Sequence, residues 1–262
     1  MKKKNNNQQH NFLTSFVDVI TNPIIFLPDL VSLIYVIVGT YILVIATGLV
    51  DHYSSIILMS QNLATDQLAT NFNTFIENNF IKIGLSFGLF FISAFIIGTG
   101  TTASKYELIA DLIKNKKLTL KEAFTYSHQN FKKVLITKVL IFLLTALLII
   151  GLFILAGVGY TIYQPLGYII TLLLLFVFHL AIYFRYPYLF LKNKKPLTSI
   201  KDSIKYFKNN PKHVFLIWLV TILTLLFTQI LTSFFNTVIP YLFILIGLYI
   251  NLSLTVYRFR SL

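Results

Sequence analysis

Few residues in this chain could do chemistry, because most of the sequence is apolar. His179 lies within one long apolar stretch, and Ser86, Ser93 and Ser253 lie within others. A neutral imidazole can act as general base toward a serine hydroxyl, which is the arrangement of an activated nucleophile. The sequence shows neither a nucleophile motif nor a second catalytic partner. It therefore favours a hydrogen-bonding role for His179 and predicts a protein that is not an enzyme.

Gln229 and Asn251 are the other candidate polar residues, and each lies in a further apolar stretch. Side-chain amides and imidazoles within a membrane hydrogen-bond between helices. Together with His179 they form a candidate intramembrane polar site. Such a site would either hold helices together or line a path for a solute.

The acidic residues limit the possible chemistry further. The nine carboxylates lie in linkers, in a predicted outer loop or near the ends of apolar stretches. None is placed to carry a proton or a cation through mid-bilayer, which argues against ion-coupled transport. There is no cysteine and no His or carboxylate cluster with metal-ligand spacing, so we expect no metal and no cofactor.

Long apolar stretches predict an all-α membrane protein. Of the 262 residues, 56% are hydrophobic and 12% charged, and the mean hydropathy is +0.75. Each stretch is long enough to cross a hydrocarbon layer about 30 Å thick. The six predicted spans are residues 30–50, 80–103, 134–158, 166–187, 214–235 and 239–257.

The basic residues predict the orientation of these spans. Residues 105–138 carry eight lysines and residues 192–213 carry seven, whereas residues 51–79 carry no Lys or Arg. Basic connections mark the cytoplasmic side, which places both termini in the cytoplasm and the protein in the cell membrane. Lys138 and Arg185, near cytoplasmic ends of spans, are expected to snorkel. Basic residues interleaved with exposed aromatics are lacking, so nucleic acid is not an expected partner.

One charged segment occurs twice. "KNKKLTLKEAFTYSHQNFKK" begins at residue 114, and "KNKKPLTSIKDSIKYFKNNPKH" begins at residue 192. The first has the periodicity of an amphipathic helix. One face carries Leu120, Ala123, Phe124, Ser127 and Phe131, and the other carries Lys121, Glu122, Thr125, Gln129, Lys132 and Lys133. Thr119 and Glu122 have the spacing of a capping box, and Ser199 and Asp202 repeat it.

The same template fits the N-terminus. Phe12, Phe16, Val19 and Pro23 take the apolar positions that Ile200, Ile204, Phe207 and Pro211 take in the last copy. We therefore expect three units, each an interfacial amphipathic helix followed by a transmembrane hairpin. The expected units are residues 11–115, 116–195 and 196–262, after a disordered basic tail at 1–10. A further interfacial helix is predicted in the outer loop around residues 64–76.

The lysines beside these helices are candidate contacts for anionic lipid or for a cytoplasmic protein partner. They are Lys121, Lys132, Lys133, Lys201, Lys205 and Lys212. Separately, Gly84, Gly88 and Gly98 lie near one line of the second span, and Gly84 to Gly88 is a GxxxG spacing. That spacing predicts a close helix contact. The oligomeric state does not follow from the pattern.

The order "TLKEAFTYSHQNFKK", span, hairpin, "SIKDSIKYFKNNPKH", span resembles poorly characterised six-span membrane proteins. These are similar to the membrane domain of some glycerophosphodiester phosphodiesterases. The resemblance implies a membrane module of unassigned activity, without the soluble phosphodiesterase domain.

Two functions follow as hypotheses from these patterns. The first is a non-enzymatic membrane protein whose basic inner-face helices engage anionic lipid or a cytoplasmic partner. The alternative is a transporter or channel for a neutral or lipid-like solute, with its path near His179, Gln229 and Asn251. An intramembrane enzyme using His179 is the least favoured.

Overall fold

The computed structural model describes the backbone of residues 12–50, 65–159, 164–234 and 239–262, and the side chains of 12–50, 70–152, 169–230 and 244–262. Over these residues the chain is helical, with no strand, so the prediction of an all-α protein is confirmed. A 3₁₀ turn (Pro23–Phe26) follows the first α-helix. The α-helices are α1 (Phe12–Thr21), α2 (Leu27–Thr47), α3 (Thr65–Ile113), α4 (Leu120–Gln129), α5 (Phe131–Gly159), α6 (Gln164–Ala181), α7 (Arg185–Phe190), α8 (Pro196–Asn209), α9 (Pro211–Phe234) and α10 (Ile239–Arg260).

Long apolar helices make this a multi-pass membrane protein. Five segments within the described residues are long and apolar enough to cross a bilayer: Pro23–Thr47, Thr70–Ile113, Phe131–Leu152, Ile169–Phe190 and Pro211–Ile230. They cover the first five predicted spans. The sixth predicted span falls on α10, which is helical over 22 residues, but its first side chains lie outside the described part. The predicted tail at residues 1–10 also lies outside it.

Helix α3 is longer than the sequence predicted. It runs for 49 residues without a break. The prediction of a separate interfacial helix around residues 64–76 is therefore wrong over the residues described, since residues 65–79 continue directly into the span. No proline interrupts α3, and the helical hydrogen bonds continue through its polar first turns.

Contact clustering divides the chain into two compact units, of which one is residues 29–101. In this unit α2 packs against part of α3. The Ser32 and Thr101 hydroxyls hydrogen-bond at 2.8 Å, and the Tyr35 ring stacks on Phe90 with centroids 6.0 Å apart. Gly39 makes room for Phe90, because a Cβ at this position would lie 2.9 Å from the Phe90 ring.

The other unit comprises residues 1–28 and 102–262. Here α1 packs on α10: the Phe16 ring meets Tyr249 edge to face at 5.1 Å, and Asp18 forms an ion pair with Arg260. Val19 is fully buried in the core of this unit. Two residues predicted for the membrane-facing side of α1, Phe16 and Val19, therefore contact protein.

Both copies of "KNKK" form a turn built on the same residue. Asn115 follows α3 with φ of 56°, and Asn193 follows α7 with φ of 46°. Asparagine tolerates this left-handed conformation better than most residues, because its short side chain can hydrogen-bond locally. After Asn115, the Lys116 amide donates to the Asp111 carbonyl at 3.0 Å, which ends α3. The repeated asparagine thus stops one helix before the next amphipathic helix begins.

The two predicted helix caps differ in outcome. At Thr119 the capping box is confirmed: the Glu122 amide donates to Thr119 Oγ1 at 3.3 Å, and the Thr119 amide donates to Glu122 Oε2 at 2.8 Å. At Ser199 the predicted cap is wrong, because α8 already begins at Pro196. Proline is pre-organised for the first turn of a helix, so it starts α8 earlier. Ser199 is fully buried and donates to the Pro196 carbonyl at 2.7 Å.

Candidate functional site

The lysines predicted to contact lipid lie on α4, α8 and the first turns of α5 and α9. Five of them have exposed side chains: Lys121, Lys132, Lys201, Lys205 and Lys212. The sixth, Lys133, is partly buried and donates to the Asn193 side-chain carbonyl at 2.9 Å. Five of the six are therefore available to a ligand, whereas Lys133 connects α5 to the second "KNKK" turn.

Helices α4 and α8 each have three kinds of surface. Ala123 and Ser203, at equivalent positions of the two copies, are buried against protein. Beside this buried edge lie exposed apolar side chains: Leu120 and Phe124, 57% and 65% exposed, on α4, and Leu197 and Ile204 on α8. The exposed lysines follow around the helix. An apolar edge next to a basic edge is the surface of a helix lying in a membrane interface.

Helix α1 departs from this arrangement. Its outward side chains are Leu13, Val17 and Ile20, all exposed. They occupy the helical positions that lysines occupy on α8. The N-terminal copy therefore presents an apolar outer edge in place of a basic one.

His179, Gln229 and Asn251 are on three different helices, α6, α9 and α10. The side chains of His179 and Gln229 are exposed on their helices, and Asn251 is partly buried. Within the part of the chain that is described, no hydrogen bond joins His179 to Asn251. The candidate intramembrane polar site thus stays a prediction, and no assembled solute path is formed by these residues.

The serines considered with His179 have other partners. Ser93 bonds to the Tyr35 hydroxyl and donates to the Leu89 carbonyl at 2.7 Å. Ser253 is fully buried and donates to the Tyr249 carbonyl at 2.9 Å. Neither is oriented by an imidazole.

The glycine spacing on α3 does not form a close contact among the described residues. A Cβ at Gly84 or Gly88 would meet no described atom within 4 Å. Gly98 is partly buried. The crowded glycine is Gly247 on α10, where an added Cβ would collide with the Thr228 side chain of α9. Close packing therefore occurs between α9 and α10, at a position that has no GxxxG spacing.

An aromatic stack lies where α3, α7 and α10 meet. The Tyr106 ring is stacked between Tyr186, at 4.4 Å and 19°, and Phe259, at 5.5 Å and 8°. Phe190 adds a further ring at 6.1 Å. These contacts join residues from helices far apart in sequence, and we call Tyr106, Tyr186 and Phe259 the aromatic stack.

Arg258 borders the aromatic stack and is only 7% exposed. Its Nη2 donates to the Tyr106 hydroxyl at 3.1 Å, and its guanidinium carbon lies 4.6 Å from the centroid of the Tyr183 ring. Tyr183 in turn hydrogen-bonds Thr221 at 3.0 Å. Arg258 Nε is buried without a hydrogen-bond partner among the described residues. Aromatic faces therefore provide most of the charge stabilisation that this arginine receives from described groups.

Arg185 lies on the same stack from the other side. Its guanidinium carbon is 4.6 Å from the Tyr186 ring centroid, and its Nη1 donates to the Ile182 carbonyl at 3.0 Å. Arg185 Nε is also buried and has no hydrogen-bond partner within the described part. The expected snorkelling of Arg185 toward water is thus replaced by a folded-back, half-buried side chain.

Sequence reasoning missed this arginine and tyrosine cluster, although a signal was present. A basic residue followed by an aromatic one occurs three times, as Lys105-Tyr106, Arg185-Tyr186 and Arg258-Phe259. The aromatic member of each pair is in the aromatic stack. The basic members were interpreted only as markers of the cytoplasmic side, since the sequence alone does not show that the three pairs meet.

The cytoplasmic turn after α3 has its own charged contacts. Lys116 Nζ lies 2.7 Å from Asp111 Oδ1, and this hydrogen bond raises the pKa of Lys116. Tyr126 of α4 donates to Asp111 Oδ2 at 2.5 Å. Burial, and then this bond, raise the pKa of Tyr126 well above its ordinary value. Asp111 therefore fixes α4 against the end of α3.

Comparison with known proteins adds no name. No protein-family model matches the chain, and neither a curated protein nor a solved structure is significantly similar to it. The class of protein defined by the fold is thus a multi-pass, all-α membrane protein, and its function has to be inferred from its surfaces.

Proposed function

We propose that this chain is an integral membrane protein of the cell membrane that binds anionic lipid through helices α4 and α8, without catalysing a reaction. The observation that carries the proposal is the exposed apolar edge beside exposed lysines on both helices. Phe124 and Lys121 represent it on α4, and Ile204 and Lys201 represent it on α8.

The physical argument rests on where such a surface is stable. Exposed leucine, isoleucine and phenylalanine side chains gain free energy when they leave water for the acyl boundary of a bilayer. Lysines on the adjoining edge then reach the headgroups, where each contributes about 1 kcal/mol with anionic lipid. The five exposed lysines together favour anionic over neutral headgroups.

The proposal includes six spans arranged as three hairpin units. Equivalent contacts in two copies support it: Ser104 donates to the Ala123 carbonyl at 2.6 Å, and the Phe184 amide donates to Ser203 Oγ at 3.0 Å. Each pair in the second contact is 80 residues beyond its counterpart in the first. The three basic-aromatic pairs of the aromatic stack support a third copy. The likeness of this layout to the membrane domain of some glycerophosphodiester phosphodiesterases belongs to the same proposal.

The orientation in this proposal places α4 and α8 at the cytoplasmic face, as the lysine-rich connections favour. The chain has no cysteine, so single cysteines report on accessibility without background. Lys117→Cys and Asn78→Cys substitute exposed positions. In intact cells a membrane-impermeant thiol reagent is expected to label Asn78→Cys alone, and to label Lys117→Cys only after permeabilisation. Labelling of Lys117→Cys in sealed cells would overturn the orientation.

Lipid selectivity tests the function itself. The full chain is reconstituted in mixed phosphatidylcholine and phosphatidylglycerol, and the lipids in contact with it are measured with spin-labelled lipid of each kind. A variant with Lys121, Lys132, Lys201, Lys205 and Lys212 changed to glutamine is expected to lose most of the preference for phosphatidylglycerol. The matched variant with arginine at the same positions keeps the charge and is expected to retain it. Equal selectivity in the glutamine and arginine variants would contradict the proposal.

A further inference from the structure

We propose that Arg258 and Arg185 form a second site, separate from the lysine surface, that binds a phosphate group beside the aromatic stack. The group is either the headgroup of a phospholipid or free phosphate. The inference goes beyond the proposed function, because neither arginine lies on α4 or α8.

The first step concerns charge. Within the described residues, neither Arg258 nor Arg185 forms an ion pair with a carboxylate, although Arg260 next to them pairs with Asp18. Both arginines are within electrostatic reach of Tyr106, and so is Lys105. Lys138 interacts electrostatically with Arg185 as well. Cations therefore gather around one ring, and a cation removed from water is costly without an anion to compensate it.

The second step concerns hydrogen-bond donors. A guanidinium carries five N–H donors in a planar fork that matches the oxygens of a phosphate. Arg258 uses Nη2 on Tyr106, and Arg185 uses Nη1 on Ile182. The Nε of each arginine is buried and has no described hydrogen-bond partner. Buried donors without a partner are rare in folded proteins, and an anion bound here would satisfy them.

The third step concerns position and access. The aromatic stack and Tyr183 hold the arginines by their faces, so their side chains are ordered before any ligand binds. Arg185 and Tyr106 are only partly buried, and the cluster therefore reaches the protein surface. In the proposed topology this surface is at the cytoplasmic ends of spans, at the depth of lipid headgroups.

The test uses the purified full chain in a nonionic detergent, titrated in separate arms with dihexanoyl phosphatidic acid, dihexanoyl phosphatidylcholine and inorganic phosphate. We expect saturable binding of phosphatidic acid, which isothermal calorimetry measures. Binding of inorganic phosphate as well would identify phosphate itself as the ligand, and binding of phosphatidic acid alone would identify a lipid headgroup. Saturable binding of neither would overturn the inference. These titrations contain no vesicle, so their outcome does not depend on the lysine surface of α4 and α8.

Variants locate the site. Arg258→Gln and Arg185→Gln are each expected to weaken phosphatidic acid binding about tenfold or more, because each removes a charged donor. Arg260→Gln has the same change of charge at a carboxylate-paired arginine and is expected to bind as the wild type does. If Arg258→Gln does not fold, Arg258→Lys keeps the charge and loses the fork, and a weaker affinity is expected there too. Equal weakening by Arg260→Gln, or unchanged affinity in the Arg185 and Arg258 variants, would contradict the assignment.

Discussion

Arg258 Nη2 donates a hydrogen bond of 3.1 Å to the Tyr106 hydroxyl across 152 residues of chain. The bond connects α10 to α3, and the Tyr106 ring is stacked between Tyr186 and Phe259. One tyrosine thus joins three helices by its ring and one buried cation by its hydroxyl. The two contributions can be separated by substitution.

Tyr106→Phe is expected to lower the free energy of unfolding by about 1.5–3 kcal/mol, since it removes one hydrogen bond to a charged group and keeps the ring. Tyr106→Ala is expected to cost more, about 3–5 kcal/mol, because it also empties the stack. Unfolding in a single detergent measures both. Tyr41→Ala, at a tyrosine that is 68% exposed, is the control and should change little. Equal losses in the two Tyr106 variants would show that the ring contributes nothing beyond its hydroxyl.

Two glycines separate crowded from open positions. Gly247→Ala places a methyl group against Thr228, and overpacking of this kind costs about 1–3 kcal/mol. Gly84→Ala places the same methyl group where no described atom lies within 4 Å. Since alanine is the better helix former, Gly84→Ala is expected to be neutral or stabilising by up to about 1 kcal/mol. Thermal unfolding of the two variants is the measurement, and destabilisation by Gly84→Ala would reveal a contact absent from the described residues.

The two helix starts predict different responses to loss of a hydroxyl. Thr119→Ala removes a confirmed N-cap and is expected to cost about 1 kcal/mol, with fraying of α4. Ser199→Ala removes a hydroxyl inside α8 that bonds only to Pro196 of its own turn, so α8 should keep its start. Amide hydrogen exchange of each first turn distinguishes the cases. Faster exchange at the start of α8 in Ser199→Ala would restore the cap that the sequence predicted.

Local patterns predicted the parts of the fold that depend on neighbours in sequence. Hydropathy placed the spans, and the spacing of Thr119 and Glu122 identified a capping box. The same spacing at Ser199 failed because Pro196, three residues earlier, determines where α8 begins. The length of α3 was missed because polar residues before a span are compatible with either a loop or a continuing helix.

The candidate site was only partly predictable. The lysines on α4 and α8 are exposed as their helical periodicity indicates. By contrast, whether a basic residue faces water or turns inward depends on which rings meet it. Arg185 and Arg258 lie near the same end of their helices as Arg260, yet only Arg260 pairs with a carboxylate. That difference comes from contacts between distant helices, which periodicity does not encode.

The ion pair between Asp18 and Arg260 is expected to hold α1 on α10. Both side chains are partly buried, so the coupling should exceed the 0–1 kcal/mol of an exposed pair. A double-mutant cycle with Asp18→Asn and Arg260→Gln measures it. In a Val19→Cys background, whose cysteine replaces a fully buried valine, Asp18→Asn should also speed thiol labelling. Additive single effects, with unchanged labelling, would mean that Phe16 and Tyr249 hold α1 without the ion pair.

Tyr126 predicts a dependence of stability on alkaline pH. Burial and its bond to Asp111 raise the pKa of Tyr126 in the folded chain. The unfolded chain therefore loses this proton first as pH rises, and the stability contributed by neutral Tyr126 declines above about pH 10. Tyr126→Phe should be less stable at neutral pH by about 1.5–3 kcal/mol, because it lacks the bond to a carboxylate.

The same variant should lose less stability at alkaline pH than the wild type, since phenylalanine has no proton to release. Chemical unfolding at neutral and alkaline pH measures both differences. Tyr41→Phe, at an exposed tyrosine, is the matched control and should keep the wild-type decline. If Tyr126→Phe and Tyr41→Phe declined equally, the alkaline sensitivity would belong to other groups, and the bond to Asp111 would not be the contact that ties α4 to α3.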